Sequence, residues 1–386
     1  MRDLFLLDPD VCFLNHGSYG ATPEPVLAVY QGWQRELERQ PVEFLGRRLE
    51  GLLAEARAPL AAFVGAGVED IAFVANATTG VNVVARSLRL EPGDEVLSTD
   101  LEYGACDLTW EHWCERAGAS YVRQPLDLAD PVGSLFAAAS ERTRVVYVSH
   151  ITSTTALVLP AAEICAEARR RGLLSVVDGA HAPAQVLLDV GEVGADLYTG
   201  NCHKWLCAPK GCGFVWARPE HHHWLESPIV SWGWAGVGST EPSQEPRAGL
   251  AGAWRGRPGG GTFVSRVEQQ GTRDPAAYLA APAAVAFVEE HDDPAASRAL
   301  ALEARDALAE LLGTEPVAPD ERYVGRMVAI PLPEGVDGDE VKRRLYDEHR
   351  VEIPVTDGIL RASFAMYNDR ADLERLLAAL SSILGR

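Results

Sequence analysis

In the first half of the chain, short runs of β-branched and apolar residues alternate with helix-length stretches. The runs are Ile71 to Val74, Glu95 to Ser98, Ser120 to Arg123, Arg144 to Ser149, Leu173 to Val177 and Gly213 to Trp216. Between them, Thr78 to Leu88, Tyr103 to Ala117 and Pro160 to Arg171 carry helical patterns, the last with proline at its start and Gly172 just past its end. Such alternation admits few folds. Strand, crossover helix and next strand build a mostly parallel sheet with helices on both faces, an α/β architecture. Ligands of parallel sheets collect at the carboxyl ends of the strands. Asn76, Ser149 and Asp178 each stand at such an end.

With 386 residues the chain exceeds the size at which one hydrophobic core stops growing, which predicts a large domain and a smaller one. The stretch Gly233 to Gly261 is rich in Gly, Pro, Ser and Arg without periodicity, and reads as a long loop or lid. Helical patterns at Ala276 to His291 and Ala295 to Leu312 then lead into an α+β module. Its expected elements are strand Arg326 to Pro331, helix Asp339 to Arg350, strands Val351 to Val355 and Ile359 to Phe364, and helix Ala371 to Leu384.

Only three lysines occur, at 204, 210 and 342, although Lys and Arg together number 35. A lysine kept against that background needs a reason that arginine cannot supply. Lys204 lies in Asn201-Cys202-His203-Lys204-Trp205, and Asp178 lies 26 residues upstream, at the end of a β-rich run. A primary amine that forms a Schiff base, and a carboxylate that keeps a pyridinium nitrogen protonated, together suggest pyridoxal phosphate. Asp178 alone would read equally well as a helix N-cap. His181 either contacts the ring or its 3′ oxygen, or is a histidine satisfied within the fold.

Other residues extend this constellation. Ala75-Asn76-Ala77-Thr78-Thr79-Gly80 joins a strand to a helix, and a helix N-terminus with hydroxyls suits a phosphate; threonine also caps helices that bind nothing. Tyr103 is either a rigid ring stacked on the cofactor or a core tyrosine. Arg361 sits inside an apolar strand, where a guanidinium needs either a substrate carboxylate or an internal salt bridge. Asn15-His16-Gly17-Ser18-Tyr19-Gly20 either closes over substrate or forms a turn. His221-His222-His223 is read as solvent-facing polar residues, since adjacent residues cannot all face one metal ion, and no metal site is expected.

The net charge of −20 and pI near 4.9 argue against nucleic acid or an anionic membrane as partner. No run of 18 apolar residues and no signal-peptide pattern is found, so a cytoplasmic protein is expected. The seven cysteines show no CxxC pair and are expected to be reduced.

These residues resemble the class V aminotransferase superfamily of fold-type I pyridoxal phosphate enzymes, within it the isopenicillin N epimerase-like branch. The motifs that carry the resemblance run nearly the whole length in order. They are Leu14 to Gly20, Leu101-Glu102-Tyr103, Ser149 to Ser153, Val177 to His181, Asn201 to Trp205, Val230 to Trp234, Gln270 to Asp274 and Arg361 to Asn368. The resemblance implies a mostly parallel seven-stranded sheet in a large domain, residues 15–270, and a small domain, residues 271–386 with 1–14. It implies Lys204 as the covalent anchor of the cofactor, Asp178 on the pyridine nitrogen and Tyr103 stacked on the ring. Ala77, Thr78, Asn201 and His203 would line the phosphate, and Thr272 would reach the phosphate of the partner subunit in a homodimer. Arg361, with Ser153 and His16, would take the substrate. Asn201 and Ala156 depart from the serine and glycine common at those positions, and the stretch before Gly271 is longer than usual.

The bond cleaved at Cα is the one held perpendicular to the cofactor plane, so the protein selects the reaction. Epimerisation of a bulky cysteine-derived amino acid, C–S β-elimination or decarboxylating deamination of an S-cysteine conjugate, and transamination all remain open on these residues. Asp320 to Leu360 contains no cysteine, which argues against persulfide chemistry of the desulfurase kind.

Overall fold

A computed structural model describes residues 1–235 and 261–386 of the chain. In chain order its strands are β1 (Cys12–Phe13), β2 (Ile71–Val74), β3 (Glu95–Thr99), β4 (Ser120–Gln124), β5 (Thr143–Ser149), β6 (Leu174–Gly179), β7 (Leu197–Asn201), β8 (Gly213–Ala217), β9 (Met327–Pro331), β10 (Val351–Glu352), β11 (Val355–Thr356) and β12 (Ile359–Ser363). Seven form the main sheet in the order β2-β8-β7-β6-β5-β3-β4. All its pairings are parallel except those of β8, which runs against both β7 and β2. The mostly parallel seven-stranded sheet expected from the sequence is therefore present. The strand that the pattern of runs missed is β7, whose Thr199-Gly200-Asn201 half contains poor strand formers.

Successive side chains alternate between two buried faces, as the pleat requires. Val74, Val96, Tyr147, Val176, Leu197 and Val215 lie on one face with Val81, Val84, Cys106 and Trp110 of the helices Ala77–Ser87 and Gly104–Ala117. Phe73, Leu97, Val148, Val177, Tyr198 and Phe214 lie on the other, against the helices Leu49–Phe63, Ala161–Arg170 and Ala281–His291. Full burial of an aliphatic side chain contributes about 1.5–3 kcal/mol. The valines of Ala77–Ser87 thus hold that helix hard against the sheet, with its N-terminus at the end of β2.

A second cluster gathers β9 and β12 under the helices Pro294–Leu312, Gly338–His349 and Arg370–Leu384. β11, β12 and β9 pair antiparallel, while β1 pairs parallel with β10. Leu157 and Leu159, from the segment after β5, insert into this cluster and bring Ser153 beside β12. Two expected elements are divided. Ala276 to His291 breaks into Ala276–Leu279 and Ala281–His291, with Pro282 opening the second helix. Val351 to Val355 splits at Ile353-Pro354 because proline cannot continue the ladder.

Candidate active site

Asp178, His181 and Lys204 meet at the carboxyl ends of β6 and β7. Lys204 Nζ lies 3.0 Å from His181 Nε2, within hydrogen-bond distance. His181 Nδ1 is buried with no partner among the described residues. Burial, with the Arg361 charge adding to it, lowers the Lys204 amine to about 7. Burial and the lysine charge push His181 well below its ordinary value, so its ring is neutral.

Asp178 is 2% exposed. It shares a sheet face with Val176, two residues before it, and that face also carries Tyr147 and Cys106. The consequence is a set of donors: Tyr147 OH at 3.3 Å and Cys106 Sγ at 3.4 Å to Oδ2, and the Ala180 amide at 2.8 Å to Oδ1. Burial raises the carboxyl's pKa; the Ala180 amide, Cys106, the Lys204 charge and Tyr147 counter it. Cys106 and Tyr147 were missed in the sequence reading. The available signal was the period-two pattern of β5 and β6, which puts Tyr147 and Asp178 on one face.

The N-terminus of helix Ala77–Ser87 lies against β7. Asn76 caps it, accepting from the Thr79 amide at 2.8 Å, and Asn201 Oδ1 accepts from the Ala77 amide at 2.8 Å. Ala77 is thus already bonded, and Thr78 is the amide of that turn without a partner among the described residues. Gly80 is required by close approach, since an added Cβ would collide with Thr199 Oγ1. His203 donates from Nδ1 to the Cys212 carbonyl at 3.0 Å, and burial lowers the ring to about 4. Its Nε2 therefore bears no proton at neutral pH until an anion draws one there.

Arg361 is 6% exposed and forms no ion pair with an acidic side chain among the described residues. Its partners are neutral: the Ser153 carbonyl at 2.7 Å, Ser18 Oγ at 2.9 Å and Asn15 Oδ1 at 3.4 Å, while Nε is buried without one. Burial lowers the guanidinium to about 10. Arg326 is the contrast, fully buried but paired with Asp292 through both nitrogens at 2.5 and 3.1 Å. Ser153, expected to help Arg361 hold a substrate, stands beside it and meets it through its backbone carbonyl. His16, expected at the substrate, is 0% exposed, with Tyr367 OH at 2.7 Å from Nδ1 and the Lys204 carbonyl at 3.1 Å from Nε2.

Tyr103 begins helix Gly104–Ala117, three residues before Cys106, and is 47% exposed. Beneath it, Glu102 accepts from Thr99 Oγ1 at 2.7 Å and Ser149 Oγ at 2.6 Å, tying the ends of β3 and β5 together. Burial pushes that carboxyl up to about 8. Ala156 stands at φ 57°, the left-handed region that glycine enters freely, which accounts for the glycine common there. Thr272 is exposed, following Gly271 at φ 112°. The three adjacent histidines diverge onto Asp196, the Ala217 carbonyl and the Glu220 carbonyl. Trp232–Ala235 is a 3-10 turn whose Gly233 packs on Ser265, and residues 236–260 of the expected lid lie outside the described residues.

The aminotransferase class V family model matches residues 20–234. Isopenicillin N epimerase of Streptomyces clavuligerus is 38% identical, aligned over 100% of this chain and 98% of its own. The probable chloroplastic L-cysteine desulfhydrase of Arabidopsis thaliana is 28% identical over 98% of this chain and 84% of its own. Among solved structures, a C-DES variant with glycine covalently linked to its pyridoxal phosphate cofactor superposes with a TM-score of 0.84 at 22% identity, covering 99% of each chain. The chain belongs to the aminotransferase class V family, with the fold-type I architecture. It is an enzyme whose cofactor is pyridoxal 5′-phosphate. The residues present suit that group: a buried amine of lowered basicity, a buried carboxylate at a neighbouring strand end, a helix N-terminus with a spare amide, and an unpartnered His181 Nδ1.

Proposed function

We propose that the enzyme activates Cα of a bulky cysteine-derived amino acid, as an epimerase of the isopenicillin N epimerase kind. The observation that carries this reading is Arg361, a buried guanidinium without an acidic partner among the described residues, in a site where burial lowers the lysine amine to about 7. A charge kept out of water with only neutral acceptors is poised for an anion, and an amino-acid α-carboxylate matches its fork.

Pyridoxal phosphate, when bound, supplies an electron sink that weakens the bonds at the substrate's Cα. Lys204 would anchor the cofactor and, once freed by substrate, its amine would take the proton from Cα on its own face; inversion then requires a proton delivered to the opposite face. Asp178 would keep the pyridine nitrogen protonated, with His181 alongside, and Tyr103 would supply the ring that stacks on the cofactor. Thr78 and Asn201 hold the phosphate at the helix N-terminus near Ala77, and His203 joins them by gaining a proton at Nε2. Thr272, without a hydrogen bond among the described residues, would reach the phosphate of the partner subunit in a homodimer. Arg361 fixes the carboxylate and so decides which bond at Cα is presented for cleavage.

The similarity to a cysteine desulfhydrase favours a second reading, C–S cleavage of an S-substituted cysteine, from the same proton removal at Cα. The experiment is incubation with S-substituted cysteines in deuterated water. Exchange at Cα with inversion supports the epimerase; pyruvate and ammonia support the lyase. Release of CO2 without exchange at Cα overturns both.

A further inference from the structure

We propose that Asn15 to Gly20 is a brace that sets Lys204 relative to Arg361, with His16 as its positioning residue. This rests on the reading of Lys204 as the reacting amine and Arg361 as the carboxylate site. One four-residue helix, His16–Tyr19, touches both. His16 Nε2 lies 3.1 Å from the Lys204 carbonyl, which can only accept, so Nε2 carries the ring's proton. Nδ1 then accepts from Tyr367 OH at 2.7 Å, and the fully buried ring packs 4.9 Å from that of Trp205. With both nitrogens engaged and no solvent contact, the imidazole has one orientation.

The neighbours of His16 complete the brace. Ser18 Oγ accepts from Arg361 at 2.9 Å and donates to Asn15 Oδ1 at 2.5 Å, while Asn15 Oδ1 also meets Arg361 at 3.4 Å. The Gly17 amide donates to Ser363 Oγ at 3.2 Å, two residues along β12 from Arg361. The two glycines permit the fit. A Cβ on Gly17 would strike Met327 Sδ, and one on Gly20, at φ 69°, would strike the His203 carbonyl. The segment therefore lies against the Lys204 backbone on one side and the Arg361 side chain on the other. A small displacement of either end misplaces the amine against the carboxylate, and positional errors near 1 Å cost up to about a hundredfold in rate.

The test uses the holoenzyme, its visible circular dichroism per bound cofactor, and kcat and KM in the exchange assay above. His16→Phe keeps the ring volume and loses both hydrogen bonds. It is expected to bind cofactor, to lose at least about half of the visible signal, and to lower kcat roughly tenfold with KM within about twofold. His16→Gln restores a donor near Nε2 and should recover most of both. In a double-mutant cycle with Ser18→Ala, the combined loss in kcat should fall short of the product of the single losses, because both cut one brace. Unchanged signal and kcat in His16→Phe, no recovery in His16→Gln, or strictly multiplicative losses would each overturn the proposal. If His16→Phe does not fold, Tyr367→Phe decides: it removes one hydroxyl and should lower signal and kcat about threefold, and no change refutes the brace. Borohydride labelling of a lysine other than Lys204 would instead remove the underlying reading.

Discussion

Arg361→Ala separates substrate binding from structure because, among the described residues, the guanidinium has no ionic partner to abandon. Its three acceptors are neutral, and two of them, Ser18 Oγ and Asn15 Oδ1, already bond each other at 2.5 Å. Removing the side chain also removes the cost of burying a charge, so the folded protein should lose no more than about 1–2 kcal/mol. Arg326→Ala, by comparison, strands Asp292 and should destabilise by about 3–5 kcal/mol. For the substrate the balance is reversed. Truncating one partner of a buried hydrogen-bonded charge pair costs about 2–5 kcal/mol, which corresponds to roughly a thirtyfold to several-thousandfold loss in kcat/KM. The assay is Cα exchange across substrate concentrations, alongside cofactor stoichiometry and Tm. The expected result is a fall in kcat/KM of that size with cofactor content intact. Loss of cofactor, a drop in Tm matching that of Arg326→Ala, or a kcat/KM within about threefold of wild type would refute the assignment.

Three further outcomes are expected. Reconstitution of apoenzyme with pyridoxal phosphate should speed up as pH rises through about 7 and then level off, because burial lowers the Lys204 amine there and only its neutral form attacks the aldehyde; a midpoint near that of ordinary lysine would contradict this. Tyr147→Phe removes one of the donors to Asp178 Oδ2, disfavours the ionised carboxylate further, and should weaken cofactor affinity roughly tenfold by equilibrium dialysis, with an unchanged Kd counting against the role of Asp178. Mixing Lys204→Ala with Thr272→Ala protomers should restore activity above either parent if sites are shared, since one hybrid site then keeps both groups.

The α/β class and the strand ends were readable because a period of two and a period of 3.6 are local properties of sequence. β7 escaped because Gly200 and Asn201 weaken its pattern, although pairing on both sides holds it in the sheet. Lys204 stood out only against a surface otherwise built from arginine, and its spacing to Asp178 follows from one crossover between β6 and β7. What surrounds Asp178 was less legible: Cys106 and Tyr147 come from other strands and helices, 72 and 31 residues away, and meet it only once the sheet assembles. The Asn15 to Gly20 motif was visible as a sequence, yet the direction in which His16 faces depends on Tyr367, 351 residues along the chain. The choice at Arg361 between substrate and internal salt bridge likewise required knowing which carboxylates lie near it.

The central claim is that Lys204 is the amine that holds pyridoxal phosphate. Borohydride reduction of the purified holoenzyme, followed by proteolysis and mass mapping, tests it directly. The pyridoxyl group should be found on the peptide containing Lys204 and should be absent after Lys204→Ala. A stable pyridoxyl label on Lys210 or Lys342, or no label on a yellow protein, would contradict the account.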